Sequence, residues 1–394
     1  MPNSSSDALG GVPSAADAFS TDPKTQLAES AKVCGIARAG VGMRCLKIAA
    51  RGRLRLQDSA RAGDCRDPRV VHSRALVVRG YTFVDYATQG YLAIVGILIL
   101  FFHGNSVSHW EWLIMAHVVL LGLIHWLIYW YSLKHIGKTL GLLRHFYPVL
   151  LYAGFFAETG QLDQMFVQGY LDPIVIGWDQ KLFGFQPSLA FMERLPFLLV
   201  SEVFYAAYFS YYIMIGGVGL TLYLRNRGQF FHYVSVVSFV FYVCYLLYIF
   251  LPVIGPPVFF RAIPGYNLPA SLQQLASAAQ YPEVVKSGWF YRIMKWIYQV
   301  FEAPGAAIPS SHVAIALCTA YFSFRYIRGI RWLHVIMVVL LCLATIYCRY
   351  HYVSDVLAGI AIAVLLIPAA NWLYFKLDAG EASPKRSQSS LGRA

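Results

Sequence analysis

Charge is what this chain has little of. Only 13% of its 394 residues are Asp, Glu, Lys or Arg, where a soluble domain carries about a quarter. The shortfall points to lipid rather than water as the main solvent. Patterned cysteine is absent as well. Of seven cysteines, Cys34, Cys45 and Cys65 lie near the amino end, and Cys244, Cys318, Cys342 and Cys348 lie in apolar runs; no CxxC pair occurs. That argues against a disulfide framework and leaves the apolar-run cysteines as small hydrophobes. No uninterrupted apolar stretch of signal-peptide type is visible. Acidic residues fall short of basic ones, giving a formal net charge of +12. In a membrane chain such an excess belongs on the cytoplasmic side, so the basic runs read as solvated faces and nucleic-acid binding is not expected.

What is abundant is apolar and aromatic: 58% hydrophobic residues, with 27 Tyr and 26 Phe. Tyr and Trp favour membrane interfaces, where ring and polar tip are both accommodated. Residues 1–80 differ, being rich in Ala, Gly, Ser, Arg and Asp without sustained apolar periodicity. Too little apolar surface is available there to offset ordering entropy, so this segment is expected to be a disordered basic tail. A cytoplasmic tail, a targeting extension and an over-long start with Met43 or a later codon as the true one are all compatible with it. Residues 81–376 form the expected membrane domain, and 377–394 a second disordered tail.

A membrane crossing needs about 20 mostly apolar residues. Eight stretches qualify, at roughly 86–103, 112–131, 145–158, 196–223, 231–251, 312–327, 332–349 and 355–375. The third is weak: Pro148 interrupts it, and Arg144 and Glu158 flank it as residues expected to snorkel to opposite interfaces. The fold class is therefore all-α, a polytopic membrane bundle of about eight helices. Basic connections (Lys134, Lys138, Arg144; Arg225, Arg227; Arg325, Arg328, Arg331) alternate with neutral or mixed ones. The positive-inside rule then places both termini in the cytoplasm. It also places the connections around His312 and His351 together on the non-cytoplasmic face.

Those two connections hold the reactive residues. His351 and Asp355 are four apart, a spacing that sets two side chains on one helical face. The carboxylate can accept the Nδ1 proton of the imidazole, fix its tautomer and leave Nε2 free as a nucleophile. Pro309-Ser310-Ser311-His312 reads as a helix start, with Ser310 or Ser311 as cap. Its first backbone N–H groups and dipole form a phosphate site, and His312 in the first turn can protonate a leaving oxygen. Gly305-Ala306-Ala307 leaves room for a backbone to approach a ligand closely. Two His and one Asp could alternatively hold a metal ion, and a non-catalytic lipid binder or flippase keeping a phosphate pocket is a reading of a different class.

Pro-Ser-Ser-His followed some forty residues later by His-x-x-x-Asp resembles the second and third signature motifs of the type 2 phosphatidic acid phosphatase superfamily. The runs Gly305–His312 and His351–Gly359, with Asp179-Gln180-Lys181-Leu182-Phe183-Gly184 and Pro252-Val253-Ile254-Gly255-Pro256-Pro257, look most like its inositolphosphotransferase branch. The resemblance covers about 86–375. It implies a six-helix core, a lipid-phosphate or phospholipid substrate, no metal or other cofactor, and a phosphohistidine on His351 with Asp355 as its orienting partner and His312 as general acid. Two departures stand out. The phosphatase branch's Lys-x6-Arg-Pro motif has no match, and Thr345 occupies the position nearest the Arg that ordinarily precedes the third-motif histidine. Ser310, Ser311, Arg349 and Arg261 are the candidate phosphate-binding residues, with Lys286 and Lys295 as other cations. Water as acceptor would make a lipid-phosphate or polyprenyl-diphosphate phosphatase, and a lipid or polyol hydroxyl a transferase.

Other residues carry plainer readings. His117 and His125 suit structural hydrogen bonds inside the second span. Glu202 suits either a substrate pocket or a nearby cation. Tyr205, Tyr208, Tyr211 and Tyr212 suit packing, Asp172 and Asp179 loop shaping, and Gly216-Gly217 close helix contact. Oligomeric state is not readable.

Overall fold

The computed structural model describes residues 80–104, 106–133, 137–260, 279–301 and 305–381. The chain divides into two units, Met1–Ser73 and Arg74–Ala394, and every described residue falls in the second. The expected tail before Gly80 and the candidate Arg261 lie outside the described residues. Among those that are described there are helices and no strand. In chain order they are α1 (Phe83–Phe102), α2 (Trp110–Leu133), α3 (Lys138–Leu162), α4 (Asp172–Phe183), α5 (Pro187–Arg194), α6 (Leu198–Arg225), α7 (Arg227–Phe250), α8 (Pro256–Phe259), α9 (Glu283–Lys286), α10 (Trp289–Phe301), α11 (Ser311–Tyr326), α12 (Arg331–Tyr347) and α13 (Val353–Glu381). The last of these runs past residue 377, where the tail was expected to begin.

Seven helices, α1–α3, α6, α7, α12 and α13, are long and apolar enough to cross a membrane. The eighth expected span is α11, which has 16 residues. At 1.5 Å per residue it is about 24 Å long, short of a hydrocarbon core of about 30 Å. It packs against α6, α7, α12 and α13, and its interior position relieves it of matching the bilayer. The centre of the bundle is α7, which packs on α1, α3, α6, α11 and α13. Of its apolar window 72% is buried, against 22–44% in the other six. Its sequence is apolar all round, as a helix with no lipid-facing stripe requires.

The third span is stronger than its sequence suggests. Helix α3 runs for 25 residues straight through Pro148. Arg144 and Glu158 do not snorkel but turn inward. Arg144 donates to Asp85 on α1 at 2.6 Å, and Asp85 also accepts from Tyr147 at 2.6 Å. Glu158 faces His117 on α2 at 3.4 Å. Unpaired charge in hydrocarbon is costly, and partners on neighbouring helices remove the need to reach water. His117 also donates through Nδ1 to the Leu113 carbonyl, and His125 bonds Tyr81, both at 2.8 Å.

Candidate active site

Two helix starts meet at one end of the bundle. Ser310 caps α11, its hydroxyl accepting from the Val313 amide, and its own amide donates to the Asp355 carbonyl at 3.0 Å in the first turn of α13. Gly359, one turn further along α13, makes this approach possible: a Cβ there would stand 2.5 Å from the Ser310 carbonyl oxygen. Tyr248 of α7 locks the α11 start from below. Its hydroxyl donates to the Pro309 carbonyl at 3.0 Å and accepts from the Ser311 amide at 3.2 Å.

His351 precedes α13 rather than sitting on it. The chain leaves α12 by a turn in which the Tyr350 and His351 amides both donate to the Thr345 carbonyl and Arg349 adopts φ +62°. The spacing of four therefore brings His351 and Asp355 together across a helix start, not along one face. Asp355 is the third helical residue. Its Oδ2 accepts from the Tyr352 amide at 2.9 Å, as a capping acid does, and from Nδ1 of His351 at 3.3 Å. One carboxylate oxygen thus starts the helix and orients the imidazole. Nε2 of His351 is buried and has no hydrogen-bond partner among the described residues. Burial holds this imidazole well below its ordinary range, at about 4, so it is neutral at physiological pH.

His312 lies in the first turn of α11, its ring centroid 5.9 Å from that of His351. Tyr208 and Tyr211 of α6 flank it, with centroids at 5.1 and 4.8 Å. Tyr350 stacks on Tyr298 of α10 at 4.2 Å. Both histidines line a cavity of about 440 Å³ together with Ser311, Tyr211 and Tyr212. Among the described residues no Lys or Arg lines it, and none of their His, Cys, Asp and Glu side chains form a group of three placed to hold a metal ion.

Arg349 is not brought to this cavity. Its guanidinium is buried, donating to the carbonyls of Gln280 at 2.9 Å and Leu189 at 3.2 Å, with Glu193 at 3.6 Å. Lys286 pairs with Glu283 at 2.7 Å on the surface, and Lys295 is exposed on α10. Gly305 does not open space for a ligand: its φ is +83°, and a Cβ there would fall 2.5 Å from the Cβ of Asp163. Among the described residues, Glu202 neither lines the cavity nor meets a cation; it accepts from the Phe290 amide at 3.1 Å and so caps α10. Among the described residues, Gly216 and Gly217 make no close contact with another helix, since a Cβ on either meets nothing within 4 Å beyond its own helix backbone.

Asp172 and Asp179 do more than shape a loop. Asp179 accepts from the amides of Val353 at 2.9 Å and Ser354 at 3.0 Å and from the Ser354 hydroxyl at 2.5 Å. It supplies from α4 the cap that α13 lacks locally. Asp172 accepts from the amides of Ile254 and Gly255 and from the Tyr352 hydroxyl, each at 2.9 Å. Burial pushes its carboxyl up to about 7, although all three donors favour the charged form. The two carboxylates hold the loop before α8 and the His351 turn in register.

No curated protein and no solved structure matches the chain. From α4 into α13, residues 174–369, the chain does match the model of the PAP2 superfamily, and His312, His351 and Asp355 all lie inside the matched stretch.

Proposed function

We propose that the chain is a membrane phosphotransferase acting on a lipid-linked phosphate through a phosphohistidine on His351. The carrying observation is the unpartnered, neutral Nε2 of His351 facing a cavity that it shares with His312, with Asp355 on its other nitrogen. In the first step Nε2 attacks phosphorus and the bond to the leaving oxygen breaks, while His312, entering the step in its protonated form, delivers a proton to that oxygen. Asp355 stabilises the imidazole as its ring gains positive character. The α11 start, with its dipole, faces the charge on the phosphoryl oxygens. In the second step an acceptor hydroxyl attacks the phosphohistidine and His312 takes its proton.

The finer reading is that this acceptor is an alcohol, as in the inositolphosphotransferase branch, rather than water. Two features support it: the Lys-x6-Arg-Pro motif is missing, and no described cation lines the cavity. The non-cytoplasmic placement of the site is likewise a proposal. The ends of α3, α6, α7, α11 and α12 remote from His351 carry Lys138, Arg225, Arg227, Arg325 and Arg331, which favours cytoplasm on that side.

The test is a substrate panel. Purified protein in vesicles is given labelled phosphatidylinositol, phosphatidate and polyprenyl diphosphate, with and without ceramide or diacylglycerol. Label moving to the added alcohol is expected. Release of inorganic phosphate alone would replace the transferase with a phosphatase, and full activity in His351→Ala would remove the phosphohistidine.

A further inference from the structure

The cavity reaches far beyond the histidines. On α7 its wall extends from Tyr245 near the site to Phe230, fifteen residues away, or about 22 Å along the helix axis. On α3 it extends from Phe156 to Phe146. Helices α3 and α6 each pack on α7 but make little contact with one another, so α7 is the back of a groove and α3 and α6 are its sides. The groove faces outward between Val149 on α3 and Leu220 on α6, side chains that line it while remaining 40% and 54% exposed. Gly216 lies on the same wall, and its missing side chain widens the opening.

At the far end the groove is closed. Phe146, Tyr223 and Phe230, one ring from each of the three helices, meet with centroids 4.9, 5.0 and 5.2 Å apart. The result is an apolar slot entered from the side, with phosphoryl chemistry at one end and an aromatic floor at the other. A volume near 440 Å³ is at the small end of ligand pockets, suited to one extended chain rather than two.

We infer that this groove holds a single hydrocarbon chain of the substrate, running from the histidines to the Phe146–Tyr223–Phe230 floor, and that Gly216 sets how long a chain is accepted. The inference rests on the lipid-phosphate reading of the site and adds what that reading lacks, a location and a length limit for the apolar part. One wall comes from α3, which precedes the stretch matched to the PAP2 superfamily. The groove is thus completed by a helix that carries none of the catalytic groups.

Two measurements test it on the full chain in vesicles. In the first, hexadecyl phosphate with a photoactivatable diazirine at the chain end is irradiated with the protein, and the labelled residues are mapped. Label is expected at Phe146, Tyr223 or Phe230 and is expected to disappear in Gly216→Phe. No label, or label confined to lipid-facing residues such as Leu199 and Trp112, overturns the inference. In the second, turnover of octyl and hexadecyl phosphates is compared. A Cβ at Gly216 meets nothing within 4 Å beyond its own helix backbone, so Gly216→Phe starts into open groove space, and an unfolding midpoint in detergent equal to the parent's checks that the fold is kept. It should lower kcat/KM for the long chain by about tenfold or more and leave the short chain within about twofold. Gly217→Phe, one residue on and off the groove, should change neither. Equal effects on both chain lengths also overturn it. Floor labelling without turnover would retain the groove and remove the phosphoryl-transfer reading; turnover with label elsewhere would do the reverse.

Discussion

At the scale of single residues, the site depends on carboxylates that never touch substrate. Asp179 accepts three hydrogen bonds at the start of α13. Asp179→Ala leaves a part-buried amide, a buried amide and a buried hydroxyl unsatisfied in the turn that presents His351. A loss on the order of 2–4 kcal/mol is expected, read as a lower unfolding midpoint in detergent together with a fall in kcat larger than any rise in KM. A midpoint unchanged from the parent protein would show that the α13 start is held by something else. His351 makes a second prediction. Its imidazole protonates near 4 rather than near the ordinary value of about 6.5. Nε2 is free of a proton above that point, so the acid limb of kcat/KM due to this group should fall near pH 4. A limb near 6.5 would mean that the nucleophile is solvated. The sign for stability follows from linkage. The unfolded chain takes this proton as pH falls through about 6.5 and the folded one only near 4, so the His351 contribution weakens as pH drops across that interval.

Helices and their caps show how much was legible. The α11 start was readable because Pro309, Ser310 and Ser311 are adjacent, and Ser310 is the cap. The membrane helices were readable as apolar runs, and even the weak third run belongs to a full helix. Asp179 was not identifiable as the cap of α13, because its partners are more than 170 residues away in sequence. Arg349 looked available by proximity to His351, yet three acceptors distant in sequence or fold hold it. Helix α10 was hidden in what read as a long mixed connection. It shows its apolar face to α6, leaves Trp289 and Trp296 exposed, and places Tyr298 on Tyr350 beside His351. Glu202 caps this helix from α6. Glu202→Ala should cost about 1 kcal/mol of α10 stability and raise KM as Tyr298 loses its seat. Glu202→Gln keeps one acceptor and should lie between the variant and the parent. Equal KM values in all three would detach α10 from the site.

Over the whole molecule, two chemistries coexist in one bundle. Helices α6, α7 and α11–α13 carry the PAP2-matched stretch and its histidines, while α1–α3 precede it and are joined to one another by buried polar pairs. The Arg144–Asp85 pair is closer and more deeply buried than His117–Glu158, with side chains 2% and 0% exposed and 2.6 Å apart. Arg144 also lies 5.8–5.9 Å from the centroids of Tyr131, Tyr147 and Phe231, two residues before the groove floor at Phe146. Removing one charge strands the other in a medium that cannot solvate it. Arg144→Met or Asp85→Leu alone should therefore destabilise by about 3–5 kcal/mol. The double variant should recover a large part of that loss, because an apolar pair leaves no charge stranded, although Tyr147 still lacks its acceptor. Thermal unfolding in detergent, run as a double-mutant cycle, separates the outcomes. Additive losses would mean that the two residues do not act as a pair. Recovery of stability with loss of the hexadecyl over octyl phosphate preference would show that the pair also fixes the floor beside it, linking α1–α3 to the choice of lipid.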